Sequence, residues 1–211
     1  MAGMTDPTSP YSPSPETALS TADRLDQPPL RLAVIAASVR KERLSRVLAD
    51  WVAGKAADIA DVDLVDLAEC ELPDDEHLEP GGGPRSAIAD RIDRADGYVI
   101  VTPEYNHSYP ACLKRAIDWH YGEWMFKAAT VLSYGVQGGL LAAEHLRGVF
   151  AELHVVTTRR VVGLRAPWND IGDDGFTPPP GTGEALDEAL RELTWWATTL
   201  HVARRDRPFQ R

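Results

Sequence analysis

Short apolar runs alternate with amphipathic segments along most of the chain. Leu32-Ala-Val-Ile-Ala-Ala37 is a compact apolar stretch that predicts a strand. After a polar turn, Leu44, Val47, Leu48, Trp51 and Val52 fall at i, i+3, i+4, i+7 and i+8, one face of a helix. Val62 to Leu67 predicts a second strand, and residues 68–84, acidic and then Gly/Pro-rich, a connecting loop. Arg85 to Ala95 suits a short helix. Tyr98 to Thr102 predicts a third strand covered on both faces. Ala111 to His120 predicts a helix with Leu113, Ala116 and Ile117 on one side. Ala128 to Ser133 predicts a fourth strand, Leu140 to Phe150 a helix, and Leu153 to Thr157 a fifth strand. Residues 163–183 carry several Pro and Gly and predict a long loop. The spacing of Leu186, Leu190, Leu193, Ala197 and Leu200 then marks a closing helix.

Strands alternating with helices at short spacing imply a parallel sheet with helices on both faces. Five of each fit a flavodoxin-like α/β domain, a three-layer doubly wound sandwich over residues 29–211, with no internal repeat and no second core. Residues 1–28 are rich in Pro, Ser and Thr and poor in large apolar side chains, so a disordered tail is expected there.

Composition narrows the class further. At 211 residues, 44% hydrophobic and 26% charged, the chain can bury one good-sized core. No apolar run approaches the roughly 18–20 residues that span a membrane. A formal net charge of −10 disfavours general nucleic-acid binding. The two cysteines, Cys70 and Cys112, form no CxxC pair and no zinc spacing, which fits reduced thiols in a cytoplasmic protein. No basic start followed by an apolar stretch occurs near the N-terminus, so no signal peptide is expected.

Three loops follow predicted strands and open predicted helices, where open α/β sheets hold ligands. The first, Ala37-Ser-Val-Arg-Lys-Glu-Arg-Leu-Ser45, has hydroxyls at Ser38 and Ser45 and a forked cation at Arg40 before a helix N-terminus. That set suits a phosphate, or serves as ordinary capping and surface charge. Neither G-x-G-x-x-G after the first strand nor G-K-[ST] anywhere is present, which disfavours dinucleotide and Walker sites. The second loop runs from Thr102 to Tyr109, stiffened by Pro103 and Pro110; Tyr105 could lie against a flat ring, and Asn106 tolerates turn geometry. The third, Ser133-Tyr-Gly-Val-Gln-Gly-Gly139, has glycines that let a backbone approach a ligand or close a tight turn.

The order S-x-R, then P-E-Y-N-H-S, then S-Y-G-x-x-G-G resembles the NADPH-dependent FMN reductase family, from about Arg31 to Leu153. The middle motif, extended through Lys114-Arg-Ala-Ile-Asp-Trp119, is the most specific part. The resemblance implies a flavodoxin-like fold, FMN as cofactor, NADPH as electron donor and a homodimer or homotetramer. It places the FMN phosphate on Ser38, Arg40 and Ser45. It places the isoalloxazine on Pro103, Glu104, Tyr105 and Asn106, and on Ser133, Tyr134, Gly135 and Gly138. Val136 stands where the family often has another glycine, and Ala37 and Ala128 also depart from its usual residues.

The implied activity is transfer of electrons from NADPH through bound FMN to a flavin, a quinone or a similar small acceptor. No acid or base is assigned, because flavin chemistry asks the protein mainly to hold and tune the ring. The rival is an FMN-binding electron-transfer or regulatory module without efficient NADPH turnover. The histidines form no ligand set, so no metal is expected, and His107 is read as a turn residue. Gly81-Gly-Gly83 follows no strand and precedes Pro84, and is read as a flexible connection. The aromatic cluster Trp119, Tyr121 and Trp124 is either a subunit-interface anchor or a cover for the sheet.

Overall fold

The computed structural model describes residues 29–173 and 175–210, so the tail expected at residues 1–28 lies outside the described residues. Five parallel strands form the sheet: β1 (Arg31–Ala36), β2 (Asp61–Asp66), β3 (Gly97–Pro103), β4 (Ala128–Gly135) and β5 (Val156–Arg165). Their spatial order is β2-β1-β3-β4-β5. The connecting helices are α1 (Ser45–Ala56), α2 (Ala89–Arg94), α3 (Ala111–Trp119), α4 (Tyr121–Trp124), α5 (Leu140–Glu152) and α6 (Thr182–Asp206). This is the expected flavodoxin-like three-layer α/β fold.

Side-chain alternation along the strands divides the core in two. Leu32, Val34 and Ala36 of β1, with Val99 and Val101 of β3, pack on Leu48 and Val52 of α1 and on Leu186, Leu190, Leu193 and Ala197 of α6. Ala33 and Ile35, with Tyr98 and Ile100, face the other way, toward Ile92 of α2, Leu113 and Ile117 of α3, and Leu146 and Phe150 of α5. Every residue of β3 is buried, as a central parallel strand requires. Trp119 and Trp124 are buried within the subunit, Trp124 between Tyr98 and Phe150. Both rings are therefore buried inside one chain, Trp124 in the core beside the sheet and Trp119 beneath the Gly83–Pro84 segment, and neither is exposed to anchor a subunit interface.

Three segments differ from the sequence expectation. The fifth strand starts at Val156 rather than Leu153 and runs on to Arg165. The apolar run Leu153-His-Val155 instead forms the turn after α5, with His154 at φ 54°. β5 is an edge strand of mixed polarity, so it carries no continuous apolar signal. Its register with β4 shifts between Ala129 and Val131. Arg147 covers the irregularity by donating to the carbonyls of Thr158 (2.7 Å) and Arg159 (2.9 Å), and Glu192 accepts from the Arg159 N–H at 2.8 Å. The second difference lies in residues 163–183, which hold the end of β5, a 3₁₀ turn at Pro167–Asp170 and a small antiparallel pair, β6 (Ile171–Gly172) with β7 (Gly175–Phe176). The third is the triglycine connection. Gly83 donates to the Trp119 carbonyl at 3.0 Å, and a Cβ on Gly83 would lie 2.3 Å from the Trp119 ring. Trp119 Nε1 closes the contact on the Pro84 carbonyl at 2.8 Å. Glycine is needed there so that backbone can cross an indole, and the segment is a packed turn rather than a loose one.

Candidate active site

The register of the central strands brings the three loops to one edge. Ala36 pairs with Val101, Thr102 with Ser133 and Pro103 with Tyr134. β2 lies on one side of β1 and β3 on the other, so the strand order reverses at β1, where doubly wound sheets open a crevice at their carboxyl edge. A cleft of about 270 Å³ opens there. Its walls are Arg40, Glu42, Arg43 and Leu44 of the first loop, Pro103, Glu104 and Tyr105 of the second, Tyr134, Gly135 and Val136 of the third, and Trp168.

The first loop presents an unsatisfied donor set. Ser38 is buried beneath the cleft; its Oγ lies 3.0 Å from the Tyr105 hydroxyl and accepts from Arg40 N at 3.5 Å. α1 starts without a side-chain cap and without an acid in its first turn. The buried Ser45 Oγ, on that first turn, makes no hydrogen bond. An orphan hydroxyl among uncapped N–H groups is costly unless an anion completes it. Two arginines flank it with different fates. Arg43 is spent on the buried carboxylate of Asp66 (2.6 Å) at the end of β2. Arg40 has no carboxylate partner among the described residues and rests with its guanidinium 3.7 Å from the centre of the Tyr105 ring. The residues therefore fit a phosphate group at this helix start.

The second loop is a tight turn. Tyr105 N donates to the Ser108 carbonyl at 2.8 Å, and Ser108 N to the Tyr105 carbonyl at 3.0 Å. Asn106 and His107 occupy its central positions at φ 50° and 65°, the pattern of a type I′ turn. His107 is thus a turn residue, as its setting in the sequence suggests. Glu104 has a second task beyond lining the cleft. Its Oε2 accepts from Leu141 N, in the first turn of α5, at 3.0 Å. The residue before that helix, Gly139, has no side chain with which to cap it. Ser108 Oγ and His145 Nδ1 of α5 make a further link at 3.0 Å.

The third loop closes on itself. The buried Ser133 hydroxyl donates to the Gly138 carbonyl at 2.9 Å. Gly138 and Gly139 stand at φ 86° and 73°. A Cβ on Gly139 would meet Tyr134 N at 2.6 Å, whereas one on Gly135 would sit in open contact with Glu104 Cβ at 3.5 Å. Burial pushes the Tyr134 phenol well above its ordinary range; the nearby Ser45 N–H and hydroxyl pull the other way, although the Ser45 Oγ stays outside hydrogen-bond geometry. Val136 is 69% exposed at the rim.

Of the residues singled out in the sequence, Arg40, Pro103, Glu104, Tyr105, Tyr134 and Gly135 line the cleft. Ser38 and Ser45 lie buried in the first loop, while Asn106, Ser133 and Gly138 shape the turns that hold the walls. Sequence reasoning missed Glu42, Arg43, Leu44 and Trp168. Trp168 follows an edge strand of mixed polarity, so no apolar run in the sequence marks it as a strand-end residue. With that strand extended to Arg165, the indole falls at the same carboxyl edge as the other loops.

Among the described residues no helix is long and apolar enough to cross a membrane, and no group of His, Cys, Asp or Glu could hold a metal ion.

The family described as NADPH-dependent FMN reductase matches residues 30–168. An NAD(P)H-dependent FMN reductase of Schizosaccharomyces pombe is 38% identical over 146 residues, covering 64% of this chain and 73% of the relative. A quinone reductase of Escherichia coli is 31% identical over 175 residues, covering 78% and 90%. Among solved structures, FerB, a flavoenzyme NAD(P)H:(acceptor) oxidoreductase from Paracoccus denitrificans, superposes with a TM-score of 0.66 at 26% identity. That match covers 81% of this chain and 98% of FerB.

Proposed function

The chain belongs to the NADPH-dependent FMN reductase family, and from that premise we propose how its residues divide the work of an FMN-dependent NAD(P)H oxidoreductase that acts on quinones or flavins. FMN, when bound, supplies the electron relay between the nicotinamide donor and the acceptor. Ser38, Arg40, Ser45 and the first N–H groups of α1 hold its phosphate. The single observation that carries this assignment is the buried, unpartnered Ser45 hydroxyl at the uncapped start of α1, beside an arginine with no carboxylate partner. Pro103, Glu104, Tyr105 and Asn106 hold the isoalloxazine from one side, and Ser133, Tyr134, Gly135 and Gly138 from the other. The interlocked turns keep those walls rigid: Glu104 ties the second loop to α5, and the Ser133 hydroxyl pins the third. Rigid walls hold the ring in one pose and leave one face open to donor and acceptor in turn.

The test is direct. Purified protein loaded with FMN and desalted should retain about one equivalent of flavin per chain by absorbance and oxidise NADPH or NADH with a quinone. A colourless product without measurable FMN affinity refutes the assignment.

Two further statements belong to the same proposal. The protein assembles as a homodimer or homotetramer, which light scattering at micromolar protein would read as more than one 23.2 kDa chain. It works in the cytoplasm, a setting that suits its free cysteines, Cys70 and Cys112.

A further inference from the structure

Trp168 stands apart from the other aromatic side chains. It is 48% exposed and lines the cleft. It has no ring partner or hydrogen bond among the described residues, whereas the exposed Trp195 packs on Trp196 at 4.8 Å and Trp51 on Phe176 at 5.2 Å. An uncovered indole is a large apolar surface left to water, which folding alone does not favour.

Its position is nonetheless strongly held. Ala166 adopts φ 48°, a left-handed conformation that costs a non-glycine residue roughly 1–2 kcal/mol. From there its N–H donates to the Gly135 carbonyl at 2.8 Å, and Asn169 N closes the turn on the Ala166 carbonyl at 3.1 Å. Arg165 Nε reaches the Val136 carbonyl at 3.2 Å. The turn is thus stitched to the third loop by two bonds, and strained backbone is spent on placing one unpartnered indole at the mouth. Of the two other aromatic rings that line the cleft, Tyr134 is buried and Tyr105 has the Arg40 guanidinium over its face. Trp168 is the open aromatic surface there, with the exposed Val136 beside it on the rim.

We propose that Trp168 is the specificity-determining residue of the acceptor side: planar, fused-ring acceptors dock with a face or edge against its indole, and compact non-planar acceptors do not use it. This rests on the flavin assignment above, since it makes the cleft mouth the place where acceptors arrive. Offset or edge-on aromatic contact is the recognition chemistry, so the selectivity follows ring area rather than charge.

The experiment uses the full-length, FMN-loaded protein and the substitutions Trp168→Ala and Trp168→Phe. Isothermal titration of oxidised protein with anthraquinone-2-sulfonate, without NADPH, reads binding apart from turnover. Trp168→Ala should weaken it roughly three- to tenfold, and Trp168→Phe should retain most of it. In steady state, with rates normalised to bound FMN, the ratio of kcat/KM for 2-methyl-1,4-naphthoquinone to that for ferricyanide should fall by a similar factor in Trp168→Ala. Equal quinone affinity in parent and Trp168→Ala, or an equal loss with ferricyanide, overturns the inference while the flavin assignment stands. A parent that retains no FMN overturns both.

Discussion

The three glycines of the third loop provide a graded test of the site's construction. Replacing Gly135, Gly138 and Gly139 singly by alanine adds the same atom in three different settings. At Gly139 the new Cβ would lie 2.6 Å from Tyr134 N and 2.8 Å from Ser133 Cβ, on a residue at φ 73°. Neither neighbour is a flexible tip, because both belong to a buried strand. The left-handed conformation costs roughly 1–2 kcal/mol and the overlap about 1–3 kcal/mol, so the substitution should destabilise the protein by about 2–5 kcal/mol. At Gly138 the nearest atom is 3.7 Å away and only the conformation, φ 86°, is penalised. That substitution should cost about 1–2 kcal/mol. At Gly135 the contact is an ordinary 3.5 Å to Glu104 Cβ without positive φ. Its stability should stay within about 0.5 kcal/mol of the parent, or rise slightly through the less flexible unfolded chain. For a chain of this length each kcal/mol moves Tm by about 2–4 °C. Differential scanning fluorimetry of the apoprotein should therefore place Gly139→Ala roughly 4–20 °C below the parent, Gly138→Ala between, and Gly135→Ala level with it. FMN titration should separate the roles further. Gly139→Ala should lose affinity along with stability, while any loss at Gly135→Ala comes without a loss of stability, because Gly135 lines the cleft. A Gly139→Ala protein that melts within 2 °C of the parent, or a reversed order, would refute the steric argument.

Ser45→Ala should move stability and affinity in opposite directions. It deletes a buried hydroxyl without a partner, so apoprotein stability should hold or rise, while FMN affinity falls; a matching loss of both in unfolding and titration experiments would mean the hydroxyl is structural. Arg40→Ala removes a charge-assisted contact worth roughly 1.5–3 kcal/mol, so FMN should bind about tenfold to a hundredfold more weakly. Riboflavin, lacking the phosphate, should bind parent and variant alike, and equal loss for both ligands would disprove phosphate pairing. Lys127 gives a pH test. Burial lowers its ammonium from 10.5 to about 8, although Nζ donates to the carbonyls of Ile92, Asp93 and Glu123 at 3.0, 2.5 and 2.6 Å. The unfolded chain therefore binds the extra proton between these values: the cost of burying the charge is present in full below pH 8 and is relieved as pH rises toward 10.5. Urea-unfolding free energies of the parent relative to Lys127→Met should rise across that window, and a flat difference would contradict the shifted ionisation.

The layer order was legible in the chain because parallel strands in a doubly wound sheet are buried on both faces. β3 and β4 are near-continuous apolar runs, and α1 shows a clean helical stripe, so local composition and final environment coincide. The three site loops were legible for the same reason: each directly follows such a strand and opens a helix, and their motifs carried the family resemblance. β5 was not, because an edge strand is half solvated and its alternation is polar, so the apolar run just before it drew the boundary instead. Trp168, three residues beyond the true end of that strand, therefore carries no strand-end signal. No sequence pattern tells that Arg43 is spent on Asp66 while Arg40 has no carboxylate partner, since the two carboxylate-competent arginines lie three residues apart and the acid lies on the next strand. Nor does it tell that Glu104 caps a helix 37 residues away, or that Gly83 is small because Trp119 lies across it. Period and burial are properties of neighbours along the chain. Pairing of charges, capping across loops and the room for a single Cβ depend on segments that only the sheet's register brings together.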